Sequence, residues 1–212
     1  MQDNKISAAV IHRLPKYYRY LTELESLGTE RVSSSKMSKD MNLNASQIRR
    51  DLNCFGGFGQ QGYGYQVAKL KKEIMKILGI GRRHTAVVVG AGNIGQALLK
   101  YKHFADEGYN IVAIFDADVD VIGKKIDGIK VLPMEELSGF LDSNQVDMGV
   151  ITTPKQHAQR LADELVSLGV KGIWNFAPVD VEVRRGVSVE NVHLSDSLYI
   201  LSYSMRENSE KA

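Results

Sequence analysis

The stretch VVVGAGNIGQAL, residues 87–98, decides the fold of the larger part of this chain. Its three valines read as a buried strand, and Gly90, Gly92 and Gly95 follow at the spacing G-x-G-x-x-G. In that spacing the first glycine permits a tight turn, the second lets the backbone approach a pyrophosphate, and the third lets helix and strand pack closely. Ala91, Asn93 and Ile94 fill the positions between, and the backbone N–H groups at the start of the following helix are expected to hold phosphate. An acid ends the next strand: Asp116 in IVAIFDAD, residues 111–118, with Asp118 as the alternative. A carboxylate there accepts hydrogen bonds from ribose hydroxyls and repels a 2′-phosphate, which favours NAD(H) over NADP(H). Thr153, the last residue of MGVITT, and Pro154 after it complete the expected cofactor-binding set.

Outward from this motif, short apolar strands alternate with helices. TAVVV, IVAIF, MGVITT and KGIWN read as strands, with helices from about Asn93, over residues 134–141 and over residues 155–168. That alternation predicts an α/β domain with a doubly wound parallel sheet of Rossmann type. Residues 84–192 are assigned to it, which leaves no stretch for a separate substrate domain, and a dehydrogenase also needs a proton relay at the nicotinamide. Four of the five histidines offer little: His12 lies outside the nucleotide module and His84 at its very edge, His103 is expected on its first helix, and His157 begins a later one, while His193 is the exception taken up below. No catalytic residue is assigned. The single cysteine, Cys54, excludes an intrachain disulfide and a cysteine-cluster metal site, and no metal is expected. Cys54 is read as a small buried hydrophobe.

Residues 1–80 read differently, as a helical module with one glycine-rich interruption. Pro15 suits the first residue of a helix in which Tyr17, Tyr18, Leu21, Leu24 and Leu27 recur at helical spacing before Gly28. Ser33, Ser34 and Ser35 can cap a short helix burying Met37 and Met41. Asn44 caps the next, with Gln47 at its third position, and Ala45, Ile48, Leu52 and Phe55 form the inner face. Then FGGFGQQGYGY, residues 55–65, predicts a β-hairpin. Val67, Leu70, Ile74, Ile77 and Leu78 give a last helix, ended by Gly79. Two short helices joined by a tight turn and followed by a hairpin predict a winged helix-turn-helix that reads double-stranded DNA. The outer face of its second helix presents Ser46, Gln47, Arg49, Arg50 and Asn53, side chains able to read guanine, adenine or either. Lys36 and Lys39 stand where phosphate contacts are expected, and the hairpin, with Gln60 and Tyr65, is the expected wing.

Charge follows the same division. Residues 1–84 hold 15 Lys and Arg against 7 Asp and Glu, a net of +8, whereas residues 85–212 hold 12 against 18, a net of −6. A basic module that meets a polyanion is thus joined to an acidic one. No apolar run reaches transmembrane length and MQDNKISAAVIHRL is not a secretory signal, so a cytoplasmic protein without membrane contact is expected. The rival reading is a small NAD- or CoA-binding enzyme of the Rossmann class. The basic N-terminal module argues against it, because such an enzyme has no need of one.

Taken together, RLPKYYRYL, RVSSSKMSKDMNL, ASQIRRDL, FGGFGQQGYGYQV, VVVGAGNIGQALLKY, FDAD, KGIWNFAPV and VSVENVHLSDSLYILSYSM resemble the Rex family of redox-sensing repressors over residues 6–206. The resemblance implies a homodimer with an N-terminal winged helix, a Rossmann core and a C-terminal helix, here residues 193–207, exchanged between subunits. It implies binding to inverted-repeat operators, permitted by NAD⁺ and released by NADH. By position, Ser46, Gln47, Arg49 and Arg50 fall on the family's recognition helix and Gly90 to Gly95 on its pyrophosphate loop. Tyr101 matches a tyrosine near the nicotinamide, and Arg19 a helix arginine that reports the redox state. The chain departs from the family pattern in three places: Gln60-Gln61 replace a Lys/Arg pair in the wing, Asn53-Cys54 replace Ser-Tyr, and His193 replaces the aspartate after VENV. An imidazole is not a fixed anion for Arg19. His193 is therefore expected to weaken and pH-tune the response to NADH unless another acid, such as Asp196, substitutes.

Overall fold

The computed structural model describes residues 6–56, 59–60 and 63–210. Contacts divide the chain into two compact units, Met1–Arg82 and Arg83–Ala212.

The first unit begins with α1 (Ala8–Ile11) and α2 (Leu14–Ser26), in which Pro15 is the second residue rather than the first. Then follow β1 (Arg31–Val32), α3 (Ser34–Met41), α4 (Ala45–Asn53), β2 (Gly59–Gln60), β3 (Gly64–Gln66) and α5 (Val67–Leu78). Leu14, Tyr17, Leu21 and Leu24 line the inner face of α2 and pack on Met37, Ile48, Leu52, Leu70 and Ile74. Leu27, one residue beyond α2, leaves that stripe and is 72% exposed. The three short strands pair antiparallel in the order β1-β3-β2, so the wing is a hairpin seated on a third strand. Gln61 and the Gln60 side chain lie outside the described residues.

Four side chains of this unit fall elsewhere than expected. Tyr65 is 5% exposed, because its register partner is Val32 and both point into the core. Cys54 is exposed, because it stands one residue past α4, where its thiol meets the Arg50 carbonyl oxygen at 3.2 Å. Ala45 and Phe55, at the ends of the α4 stripe, are only half-buried.

The second unit contains β4 (His84–Val89), α6 (Asn93–Lys100), α7 (His103–Asp106), β5 (Tyr109–Asp116), β6 (Lys125–Ile126) and β7 (Ile129–Pro133). A 3₁₀ turn at Met134–Glu136 leads to α8 (Leu137–Ser143), β8 (Met148–Ile151), α9 (Lys155–Ser167), β9 (Gly172–Asn175), β10 (Ser188–Asn191) and α10 (Leu194–Ser209). The sheet order is β10-β9-β8-β4-β5-β7-β6, with every pairing parallel except β6 with β7. Two apolar layers cover its faces, one centred on Val87, Phe115, Ile151 and Leu165, the other on Val88, Ile114 and Val131. Short elements were the ones the sequence did not announce: α1, β1, α7, β6, β7 and β10 are each five residues or fewer, too short to show a period. His103 consequently sits on α7, not on the first nucleotide-binding helix. The final helix runs from Leu194 to Ser209, two residues beyond the expected end at 207.

Candidate functional site

In the first unit the two helices of the turn are capped from within. The Ser33 hydroxyl accepts from the Lys36 N–H at 3.1 Å, and the Asn44 side chain accepts from the Ser46 N–H at 2.8 Å and the Gln47 N–H at 3.4 Å. Asn42, with φ of 52°, turns the chain between them. Helix α4 buries Ile48 and Leu52, which leaves Ser46, Arg49, Arg50 and Asn53 exposed and Gln47 half-buried. The Arg49 guanidinium already rests on two hydroxyls, Ser34 at 3.1 Å and Ser46 at 2.9 Å. Lys36 is engaged as well, in an ion pair of 3.1 Å with Asp40. Tyr65 does not share this outer face.

One residue of α4 was missed. Asp51 stands between Ile48 and Leu52 on the inner face and is 2% exposed. Its carboxylate accepts from Arg13 Nε at 2.7 Å, Arg13 Nη2 at 2.8 Å and the Tyr17 hydroxyl at 2.7 Å. Burial pushes its pKa up, but these hydrogen bonds outweigh burial and hold the carboxyl below the ordinary carboxylate range. Burial, then the bond to Asp51, pushes the Tyr17 phenol upward. An acid at an inward helical position demands a cation, and that was the available signal.

In the second unit the chain passes from β4 to β5 and β7 on one side and then crosses to β8 on the other. The crevice at that reversal is where open α/β sheets hold ligands. Gly90 to Gly95 and Thr152 to Pro154 both lie there, at the carboxyl ends of β4 and β8. Gly90 has φ of +108°, and a Cβ on it would come within 3.0 Å of Thr152. A Cβ on Gly95 would overlap the Gly90 carbonyl oxygen. Both glycines are therefore demanded by the chain itself. Gly92 is not: a Cβ there would meet no atom of the described residues within 4 Å, and its backbone is extended. The open space in front of Gly92 fits an approaching ligand.

Around this space polar atoms converge. Asp116 accepts from the Ala91 N–H at 2.6 Å through one oxygen and from the Asp118 N–H at 2.9 Å through the other. Asp118 accepts in turn from the Asp120 N–H at 2.9 Å. Asn93 and Ile94 open α6, whose amino end faces the loop. The buried Thr153 hydroxyl oxygen has no hydrogen-bond partner among the described residues, and a buried orphan of this kind calls for a partner from a ligand or water. Pro154, exposed, caps α9. The crevice thus fits a dinucleotide: backbone N–H groups for phosphate, a fixed carboxylate for ribose and an unpaired hydroxyl beyond.

The three residues expected to couple redox state to DNA binding have separate surroundings. Arg19 is exposed on α2 of the first unit. Tyr101, 54% exposed, caps the end of α6 and sets its ring edge-on to Phe104 at 4.7 Å. His193 precedes α10, and its Nε2 lies 2.8 Å from Asp180 Oδ1. Asp180 was not anticipated, and the proposed substitute, Asp196, is only a weaker Coulombic neighbour. The loop bearing Asp180 is held by two amides. Asn175, wholly buried, and Asn191 are register partners at the ends of β9 and β10. The Asn175 amide donates to Asn191 Oδ1 at 2.9 Å and to the Val179 carbonyl at 2.6 Å, and Asn191 Oδ1 also accepts the Val181 N–H at 3.1 Å.

Two family models match: "Putative DNA-binding protein N-terminus" over residues 5–53 and "CoA binding domain" over residues 81–179. A redox-sensing transcriptional repressor Rex of Clostridium botulinum (strain Eklund 17B / Type B) is 52% identical over 98% of this chain and 99% of its own length. The chain belongs to the Rex family. A crystal structure of RSP with β-NAD⁺ and operator DNA is similar with a TM-score of 0.88 and 47% identity, covering 96% of this chain and 94% of that one. One of RSP with β-NADH has a TM-score of 0.89 and 44% identity, covering 97% and 96%. The Rex relatives are named as transcriptional repressors, which displaces the reading of the second unit as a small enzyme.

Proposed function

We propose that this protein is a repressor that binds double-stranded operator DNA through α3, α4 and the wing, and binds NAD(H) in the crevice beside Gly92, releasing DNA when NADH replaces NAD⁺. The observation that carries this reading is the presence in one Rex-family chain of a capped helix with an outward Ser/Gln/Arg/Arg/Asn face and a crevice whose one open glycine fits a pyrophosphate. Oxidised and reduced nicotinamide differ by one positive charge. Each form must favour a different arrangement of the protein, since a ligand with equal affinity for both arrangements shifts nothing.

The Asp180–His193 pair supports a route for that discrimination. The parallel strands end on one edge of the sheet, and β9 is two strands from β4, about 10 Å at about 4.8 Å per strand. The loop after β9 is therefore within reach of the far end of a dinucleotide whose pyrophosphate lies at Gly92. Asp180, reached through His193, supplies a carboxylate in the region where the family pattern has an aspartate. Tyr101 and Arg19 are assigned to the same coupling.

Helix α10 supports a homodimer. It has no buried residue, and Leu194, Leu198, Leu201 and Met205 form one exposed apolar row along it. A solitary helix with such a row is marginal in water. The same unit carries an apolar groove of about 450 Å³ lined by Phe104, Tyr109, Ile111, Val150, Trp174 and Val189. We assign it to α10 of a second copy, residues 193–207 being exchanged between subunits. Among the described residues no helix is long and apolar enough to cross a membrane, and no cluster of His, Cys, Asp or Glu is placed to hold a metal. DNA and NAD(H) meet in the cytoplasm, and that is where the protein is assigned.

The test is a titration of DNA binding against NADH and NAD⁺ separately, with a duplex selected by the protein from a randomised pool. Enrichment of an inverted repeat, released by NADH and retained with NAD⁺, is expected. Failure to enrich any sequence, or equal release by both forms, would overturn the reading.

A further inference from the structure

Arg13, at the N-cap of α2, and Lys16, Tyr17 and Tyr20 on α2 touch the helix-turn-helix at four points. Tyr20 donates to Asp40 of α3 at 2.6 Å, and Lys16 donates to the carbonyl of Met41, the last residue of α3, at 2.9 Å. Arg13 and Tyr17 converge on Asp51 of α4 with the three bonds of 2.7–2.8 Å described above. Arg13 sits at the junction of α1 and α2, with a side chain 28% exposed against 4% for that of Asp51.

From this geometry we infer that Asp51, held by Arg13 and Tyr17, is a positioning residue for DNA recognition. It sets the rotation of α4 about its own axis and so aims the base-facing side chains. The inference rests on the proposed reading of α4 as the DNA-reading helix. Helix α4 has two fully buried apolar anchors, Ile48 and Leu52. Apolar burial is non-directional and tolerates a helix that rolls. A bidentate guanidinium–carboxylate pair does not, because both bonds have fixed geometry. A roll of about 20° displaces atoms at the helix rim, about 5–6 Å from the axis, by about 2 Å, and hydrogen bonds to base edges do not survive that. A buried ion pair is weak evidence of stability and better evidence of a unique arrangement. Asp51 also lies one turn from Gln47 and two residues from Arg49, so its anchor acts from the buried side at the same level along the helix as the reading face.

The experiment measures the ratio of affinities for the selected inverted repeat and for random duplex, in the wild type, Arg13→Gln, Asp51→Asn and Tyr17→Phe. A loss of folded protein lowers both affinities equally and leaves their ratio unchanged, so the ratio reports position rather than stability. Arg13→Gln is the mild variant, since the side chain is partly exposed and leaves no large cavity. For Arg13→Gln and Asp51→Asn the ratio is expected to fall about tenfold or more, with the salt dependence on random DNA unchanged because phosphate contacts remain. Tyr17→Phe, which removes one bond of three, is expected to fall between these and the wild type. A lowered melting temperature with an unchanged ratio in Arg13→Gln and Asp51→Asn would overturn the inference and leave the proposed function standing. A wild type with no preference for any duplex would overturn both.

Discussion

His193 Nε2 lies 2.8 Å from Asp180 Oδ1, joining the residue before α10 to the loop between β9 and β10. The hydrogen bond that the imidazole donates to Asp180, with smaller Coulombic contributions from Asp180 and Asp196, raises the His193 pKa above its ordinary value. The protonated form is thus favoured when the pair is closed. Its contribution is complete below the free-imidazole value of about 6.5 and is lost as pH rises through the raised value, the reverse of the usual carboxylate case. In Asp180→Asn the imidazole titration followed by NMR should move down towards the free value. The difference in thermal stability between wild type and variant should be largest below about pH 6.5 and vanish at alkaline pH. An identical titration midpoint in both proteins would show that the contact is absent in solution.

The same pair bears on the NADH response. If Asp180 supplies the carboxylate, as in the proposed function, release of DNA by NADH should survive in the wild type and shrink in Asp180→Asn, while NADH affinity changes less. His193→Asp should restore the response in the Asp180→Asn background. A full response in Asp180→Asn would assign the coupling to another acid.

Gly92 and Gly95 should behave oppositely although they belong to one motif. Gly92→Val fills the open space and should abolish NADH binding with the fold intact, because no atom of the described residues comes within 4 Å of a Cβ there. Gly95→Ala drives its Cβ into the Gly90 carbonyl and should lower the melting temperature itself. Circular dichroism with calorimetric NADH titration separates the two, and unaltered NADH affinity in Gly92→Val would place the site elsewhere.

Asp116 has two tasks in this geometry. It fixes the Ala91 N–H, and in the proposed function it takes the ribose hydroxyls. Asp116→Ala should therefore weaken NADH binding and narrow the preference over NADPH, which competition titrations will read directly.

Arg49 and Arg50 should differ. Arg49 is already held by Ser34 and Ser46 before DNA arrives, so less freedom is lost when it binds. Arg49→Ala should cost about 1–3 kcal/mol on the selected repeat and less on random DNA. Ser34→Ala should reproduce part of that loss. Equal losses on both duplexes would mark Arg49 as a phosphate contact.

Leu198→Glu with Leu201→Glu places charge in the apolar row of α10 and should shift the protein from dimer to monomer in sedimentation, with loss of inverted-repeat binding. A variant that remains dimeric would show that α10 does not form the interface.

Much of this was legible in the linear chain because it depends on short-range geometry. The spacing of Gly90, Gly92 and Gly95 between a valine run and a helix, the Asn44 cap, the strand–helix alternation and the split of charge are local or compositional properties. Residues such as Ile48 and Leu52 announce their burial by period. What the sequence could not give is which distant groups meet. The position of Asp51 beside Ile48 and Leu52 signals that it needs a cation, but not which one: Arg13 and Tyr17, at the start of α2, lie 38 and 34 positions away. Asp180 reads as a loop residue until the Asn175–Asn191 amides fix the loop over the root of α10. Tyr65 and Cys54 exchange expected places because strand register and the end of α4 set their directions, and neither is visible in residue type. Periodicity fixes which face of an element is apolar. Only packing in three dimensions pairs the polar exceptions, since a buried carboxylate is tolerated solely where the fold delivers its cation.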